Sequence, residues 1–390
     1  MNRTVPWSTF LKDVLLCSLG AYGGPEAHFG VFNDQLVQKK KYLTDEELVE
    51  LIALTGILPG PSSTQTIISV GHKVGGPLLG LLTMVVWALP VIFLMTFFSF
   101  LGVFFDPAQV DRAFRFVGPM AVGFILLAAY RISKKVVKDT LTFSLFILGA
   151  LITYFFNAPW VFPVSLLFGG VMSVIFSGEK KLWNSVTLNP PWGYFIAFCF
   201  FAVGGVLVSL SSGAILPKLF ESFYRYGYLV IGGGQVVIPM MFSELVEINQ
   251  FLSSQEFLTG YGLVQGMPGP MFSFSAYAGA LAASSEGPLI QALAGIMSGI
   301  TIFLPGVLLI FFVYPIWERL KSVRGIKISL KGITAVAGGL LVAAGSILLQ
   351  RSGFAPINVL VTTVTLLLLL TKKIPAPIIV VLTVLLGYFL

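Results

Sequence analysis

Apolar residues occupy long blocks of this chain, and most of the polar residues collect between the blocks. A helix that crosses a bilayer needs roughly 20 predominantly apolar residues. Stretches near that length lie at Pro77–Phe105, Phe116–Ile132, Leu141–Phe156, Trp160–Phe176, Trp192–Leu210, Pro288–Tyr314, Gly332–Leu349, Ile357–Thr371 and Pro375–Leu390. Four further apolar regions, Phe10–Val37, Leu48–Val70, Leu219–Met241 and Phe257–Ala283, are each cut near the middle. The cuts are Gly23-Gly24-Pro25, Pro59-Gly60-Pro61, Gly232-Gly233-Gly234 and Pro268-Gly269-Pro270. Proline removes a backbone donor and breaks a helix, and glycine frees the chain to turn. The pattern predicts broken helices or re-entrant hairpins, which a membrane tolerates only where they are buried in protein or line a cavity.

The cuts recur in register. A shift of 209 positions carries Gly23-Gly24 onto Gly232-Gly233, Leu43 onto Leu252, Thr44 onto Ser253, Glu47 onto Glu256 and Pro59-Gly60-Pro61 onto Pro268-Gly269-Pro270. Leu89-Pro90 matches Leu304-Pro305 after a short insertion. Several matches in one register predict an internal duplication.

Charge orients the copies. Lys39, Lys40 and Lys41 follow the first broken element, whereas the counterpart, Ser243 to Glu256, has no Lys or Arg and carries Glu244, Glu247 and Glu256. Asp106 to Arg115 has two arginines, whereas Glu318 to Lys331 has Arg319, Lys321, Arg324, Lys327 and Lys331. Basic loops prefer the cytoplasm, so equivalent loops are expected on opposite sides. The expected fold is an all-α polytopic membrane protein of two inverted-topology repeats, 1–182 and 216–390, joined by one extra transmembrane helix within 183–215. That topology puts 19 of the 24 Lys and Arg inside, leaves Arg112, Arg115, Lys218 and Arg351 outside, and places Arg225 within a hairpin. Regions that span fully with a kink would keep the inverted pairing if each repeat changes by an even number of spans.

Composition agrees. Of 390 residues, 56% are hydrophobic and 11% charged, against about 25% charged in a soluble domain. The net charge of +7 reads as basic cytoplasmic loops and not as a nucleic-acid surface. Cys17 and Cys199 lie far apart in apolar stretches and read as buried thiols. No cleavable signal peptide is evident, because Lys12 and Asp13 interrupt the first apolar stretch.

Inverted repeats with interrupted helices are a recurring plan of secondary transporters. A half-helix N-terminus offers unsatisfied N–H donors and the positive end of the dipole, which suits a sulfate-like or phosphate-like anion. Pro61-Ser62-Ser63-Thr64-Gln65 follows one break with donors that carry no fixed charge, whereas Pro270, Met271, Phe272, Ser273 and Phe274 make the second copy more apolar. The small residues could instead serve only tight helix packing. Glu26 and His28 follow Gly23-Gly24-Pro25 and are candidates for a proton-coupled step, or groups at a wet interface. Arg225 could meet an anion or pair with Glu221, one turn away. His72-Lys73 reads as a headgroup-level feature, and two distant histidines without an acidic cluster make a metal site unexpected.

At these residues the chain resembles the chromate ion transporter family in its long, two-domain form. The resemblance lies in Gly23-Gly24-Pro25-Glu26-Ala27-His28, Leu58-Pro59-Gly60-Pro61-Ser62-Ser63-Thr64-Gln65 and Leu89-Pro90, then in Gly232-Gly233-Gly234-Gln235 through Pro239 and Met267-Pro268-Gly269-Pro270. It implies efflux of chromate, a tetrahedral dianion much like sulfate, across the cytoplasmic membrane, driven by the membrane potential or the proton gradient and conferring chromate resistance. Glu26 occupies a variable position of that pattern, so His28 is the firmer of the two. No cofactor, metal or nucleic-acid partner is expected; a homodimer is left open. Sulfate or an organic acid would suit the same donors, and a passive channel could use the same broken helices. A membrane enzyme lacks a nucleophile–base set with local support. Cysteines placed at Lys40 and at Gln250, beside its counterpart, are expected to label from opposite sides of the membrane; labelling from one side would defeat the inverted topology.

Overall fold

The computed structural model describes residues 5–156, 161–179, 188–231, 237–321 and 323–390, except for the side chains of Glu26, Pro107 and Glu318. The protein is all-α, with no strand among the described residues. In chain order the main helices are α1 (Trp7–Gly20), α2 (Pro25–Phe32), α3 (Asp45–Thr55), α4 (Ser62–Phe98), α5 (Pro107–Phe114), α6 (Val117–Val136), α7 (Thr140–Phe155), α8 (Val161–Ile175) and α9 (Trp192–Ser212). Then come α10 (Ile215–Leu229), α11 (Ser254–Gln265), α12 (Phe274–Ala282), α13 (Pro288–Thr301), α14 (Leu304–Val313), α15 (Arg324–Ser352), α16 (Pro356–Thr371) and α17 (Ala376–Phe389). Among the described residues, Ser62–Phe98, Ala108–Val136, Trp192–Ser212, Pro288–Ile316 and Arg324–Ser352 are long and apolar enough to cross a bilayer. On α9 the only buried residue is Gly205, while Phe200 is 68% and Leu210 80% exposed. Only a hydrocarbon solvent makes so large an apolar surface stable. The chain is a multi-pass membrane protein.

Three of the four predicted breaks are present, and glycine makes them; the fourth, Gly232-Gly233-Gly234, lies outside the described residues. Gly23 (φ 86°) and Gly24 (φ 88°) end α1 and start α2, Gly60 (φ 127°) precedes α4, and Gly269 (φ 93°) precedes a 3₁₀ turn, Met271–Ser273. A Cβ is disfavoured at such φ values. The first break closes a hairpin. Asp13, midway along α1, accepts from Tyr42 Oη (2.6 Å) and Gln35 Nε2 (3.3 Å) and pairs with Lys40 (3.0 Å), all beyond the end of α2. The α3–α4 hairpin is pinned at both ends, by Thr55 Oγ1 against Thr66 Oγ1 (2.8 Å) and by Lys73 Nζ on Glu47 (2.6 Å). The Lys73 ammonium holds the Glu47 carboxyl below the usual range.

Local backbone features recur at the 209-residue spacing. Lys41 (φ 55°) is answered by Gln250 (φ 52°), both non-glycine residues in the left-handed region. The π-helical segment Asn33–Lys39 is answered by Ser243–Ile248. The capping box in which Thr44 and Glu47 exchange bonds is answered by Ser253 and Glu256.

The structure forms two compact units, each drawn from separate stretches of chain. One comprises Met1–Leu101, Asn189–Tyr228 and Val264–Trp317; the other comprises Gly102–Leu188, Leu229–Leu263 and Glu318–Leu390. In the first, α4 reverses at Gly75 (φ −151°, ψ 22°) and Gly76 (φ 80°, ψ −173°), ahead of Pro77. Its two arms then pack on each other, with Gly71 against Thr83 and Gly80 against the Ile68 carbonyl. The second arm also packs against α1, α12, α13 and α14. In the second unit α15 is the hub, packed on α6, α7 and α8. Gly339 lies against the Phe146 carbonyl and Gly332 against the Gly169 carbonyl, so the helix backbones touch. Asp139 caps α7 and takes a bond from Lys331 Nζ (2.6 Å), which with the Thr142 bonds holds its carboxyl down at about 2.

Three stretches differ from the sequence expectation. The basic segment before Gly332 is not a loop from Arg324 onward but the opening turns of α15. Asp106 to Arg115 is mostly α5, because Asp106 caps it and Pro107 takes its first position. The span Pro288–Tyr314 changes course at Ile302-Phe303, where Pro305 cannot donate to Thr301. Cys17 is buried as expected, but Cys199 on α9 is only half-buried. Gly339→Ala is expected to lower the thermal unfolding midpoint of the detergent-purified protein, by about 1–3 kcal/mol of overpacking or more, because its Cβ meets the backbone of α7. Gly345→Ala on the same helix, whose Cβ meets only side-chain tips, Leu126 Cδ2 at 3.2 Å and Ile125 Cγ2 at 3.5 Å, is expected to change it little.

Candidate anion site

The site is built where the first turns of two half-helices meet inside the first unit. Helix α2 starts at Gly24 and Pro25, and its first helical bond is His28 N–H to Gly24 O (3.1 Å). Helix α4 starts at Pro61, and its first bond is Gln65 N–H to Pro61 O (2.9 Å). The N–H groups of Ser62, Ser63 and Thr64 therefore have no acceptor within the helix, and no side chain caps it. The dipole end there is positive.

Side chains then join the two turns. His28 Nδ1 lies 3.0 Å from Ser63 Oγ. Trp87, on the returning arm of α4, donates from Nε1 to Thr64 Oγ1 (3.1 Å). Its ring meets His28 edge-on at 5.4 Å and Phe32 at 5.2 Å. The Trp87 carbonyl accepts from Ser18 Oγ on α1 (2.7 Å). His28, Ser63, Thr64 and Gln65 are each at most 5% exposed. Hydroxyls and imidazole thus crowd a dry, dipole-positive spot that contains no fixed charge among the described groups.

The Pro268-Gly269-Pro270 break lies beside it. Gly269 N–H donates to Ala21 O (2.7 Å), which ties the Pro268-Gly269-Pro270 break to the first one. Gln65 Nε2 donates to Pro59 O (2.8 Å) and to Gly306 O on α14 (3.2 Å). Its Oε1 is buried without a partner, and so is Ser273 Oγ beside the Gly269 break. A cavity of about 450 Å³ runs along the α1–α2 hairpin beside Cys17, Gly20, Ala27, Gly30 and Asp34.

The remaining sequence candidates fall as follows. Gly233, Gly234 and Gln235 lie outside the described residues, and so does the side chain of Glu26. Ser62 is half-buried at the start of α4, and its carbonyl accepts from Thr66 Oγ1 (2.9 Å). Arg225 is clamped by Glu221, Nε to Oε1 at 2.6 Å and Nη2 to Oε2 at 3.2 Å, so its charge is already balanced within α10. His72 sits at the far end of the first α4 arm, against Phe311 and Tyr314. No group of three or more His, Cys, Asp or Glu that could hold a metal occurs among the described residues. Trp87 and Ser18 were not legible as site residues, since a tryptophan and a serine in apolar stretches carry no motif.

The family model for chromate transporters matches residues 8–174 and 217–388. The chain belongs to the chromate transporter family. A chromate transport protein of Cupriavidus metallidurans is 27% identical over 99% of this chain and 94% of its own length. A probable chromate transport protein of Synechococcus elongatus is 26% identical over 97% and 93%, and a chromate transport protein of Pseudomonas aeruginosa is 24% identical over 86% and 78%. No solved structure matches. The family is one of membrane transport, and the buried donors above lie within the first matched region.

Gly60 sets the shape of this transporter's site most tightly. A Cβ there would stand 2.6 Å from Gln65 Nε2 and 3.2 Å from the Gly306 Cα, at a φ that disfavours any side chain. Gly60→Ala is expected to displace Gln65 and weaken anion binding at least tenfold in an equilibrium assay on purified protein. Gly24→Ala also sits at a positive φ (88°) but has open space around its Cβ, and is expected to lose less.

Proposed function

We propose that this protein is a secondary active transporter that exports chromate from the cytoplasm across the cytoplasmic membrane and so confers chromate resistance. The observation that carries the reading is the meeting of the α2 and α4 first turns at His28 and Ser63, buried and without fixed charge. A tetrahedral dianion needs several donors at once, and free helix N–H groups with hydroxyls supply them. Donors without fixed charge bind such an ion without trapping it, which release on the far side requires.

Alternating access follows from the duplication. The paired breaks, the paired π-helical segments and the paired left-handed residues Lys41 and Gln250 support two copies of one element. With opposite charge bias in equivalent loops, those copies read as inverted repeats. An inverted pair of this kind presents a midplane site to each side in turn. The driving force is the membrane potential or the proton gradient. The names of the relatives favour chromate, whereas sulfate offers four oxygens to the same donors and is the second reading.

Purified protein in liposomes is expected to accumulate radiolabelled chromate against its gradient when a potential or pH difference is imposed. Flux that only runs downhill would make it a channel. Thr64→Ala is expected to weaken transport without loss of folded protein. A hydrogen bond to a charged ligand contributes about 1.5–3 kcal/mol, so the apparent affinity should fall roughly 10- to 100-fold.

A further inference from the structure

Two adjacent hydroxyls open α4, and each is held by a partner of different chemistry. Trp87 Nε1 is a donor only. Its bond to Thr64 Oγ1 (3.1 Å) makes Thr64 an acceptor on that side, whatever the pH. The Thr64 hydrogen is therefore always free to point at an anion. Ser63 faces His28 Nδ1 (3.0 Å), and that nitrogen accepts or donates according to its protonation.

From this contrast, and resting on the reading of the site as an oxyanion site, we infer that His28 and Ser63 form a proton-gated donor. When His28 is neutral with its hydrogen on Nε2, Nδ1 carries a lone pair and takes the Ser63 hydrogen. Ser63 Oγ then presents lone pairs to the site and repels an anion. A proton added at Nδ1 reverses the bond. His28 Nδ1–H donates to Ser63 Oγ, and the serine hydrogen turns into the site beside that of Thr64. One proton is bound, the ring gains one positive charge, and no bond other than N–H is made.

The surroundings leave the ring to this role. Among the described side chains, Ser63, Trp87 and Phe32 meet it. The charged groups on the elements packed against α2 are turned elsewhere: Asp13 of α1 to Tyr42, Gln35 and Lys40, Asp34 of the π-helical segment to Lys39, and Lys12 of α1 to the exposed surface. Cys17 of α1 borders the cavity instead, Lys73 of α4 pairs with Glu47, and His72 packs on Phe311 and Tyr314.

Linkage then fixes the direction of coupling. If the proton favours the anion, the anion favours the proton by the same factor, so the two cross together. A dianion moving out with one proton carries one net negative charge, and an inside-negative membrane potential drives it.

The test is chromate binding to the full-length purified protein across a pH series, comparing the unaltered protein with His28→Asn, Ser63→Ala and Thr64→Val. Chromate's own protonation is common to all four and cancels in the comparison. The unaltered protein and Thr64→Val should share a steeper slope, by up to about tenfold in affinity per pH unit for one linked proton. His28→Asn and Ser63→Ala should both lose that excess; Ser63→Ala removes one oxygen and keeps the test decisive should His28→Asn not fold. Equal slopes in the unaltered protein and Ser63→Ala overturn the gated donor. Absence of saturable chromate and sulfate binding by the unaltered protein overturns instead the oxyanion reading on which it rests.

Discussion

A backbone N–H or C=O left unpaired in hydrocarbon costs several kcal/mol, and no water is at hand to take its place. Every interrupted helix in this protein has to answer that cost with other protein groups. Gly269 N–H finds Ala21 O, so one break satisfies another. Gln65 gives its amide to Pro59 O and Gly306 O, which closes the α3–α4 break from the side. The reversal of α4 at Gly75-Gly76 brings Trp87 back over the first turn of the same helix. The described breaks lie together because each supplies what its neighbour lacks. The first turns of α2 and α4 are left without a side-chain cap, and an anion can use their N–H groups.

The two compact units solve different problems with the same residue. In the first, glycine gives positive φ, at Gly24, Gly60 and Gly269, where the chain has to turn between half-helices. In the second, glycine on α15 lets helix backbones touch, at Gly332 and Gly339. Lipid tails are as apolar as leucine, so this close packing replaces the hydrophobic effect as the cohesive force between helices. Ionic anchors such as Asp139 with Lys331 and Arg351 with Glu247 bind helix ends where solvent reaches them.

Charge is managed in the same spirit. Arg225 and Glu221 neutralise each other within one helix, and Asp13 is held by three partners. The proposed anion site holds, among the described groups, neutral donors and one imidazole. In a low dielectric a fixed cation would bind a dianion too tightly to release it, whereas dipoles and hydroxyls bind it moderately.

The sequence by itself determined the class, the breaks and the donor types. Long apolar blocks need hydrocarbon, Pro59-Gly60-Pro61 and Gly23-Gly24-Pro25 cannot continue a helix, and Ser62 to Gln65 offer donors without charge; these are local properties of the chain. It also carried the 209-residue register, visible again in the backbone at Lys41 and Gln250. Only the tertiary structure decided which donors meet. His28 reaches Ser63 from 35 positions away, Trp87 reaches Thr64 from 23, and Gln65 reaches Gly306 from 241. Such pairings depend on how α4 folds back and how the hairpins pack, and no local pattern encodes the angle between two helices. The same reason hid Trp87 in an apolar run and left Arg225 open between two partners until its geometry with Glu221 was known.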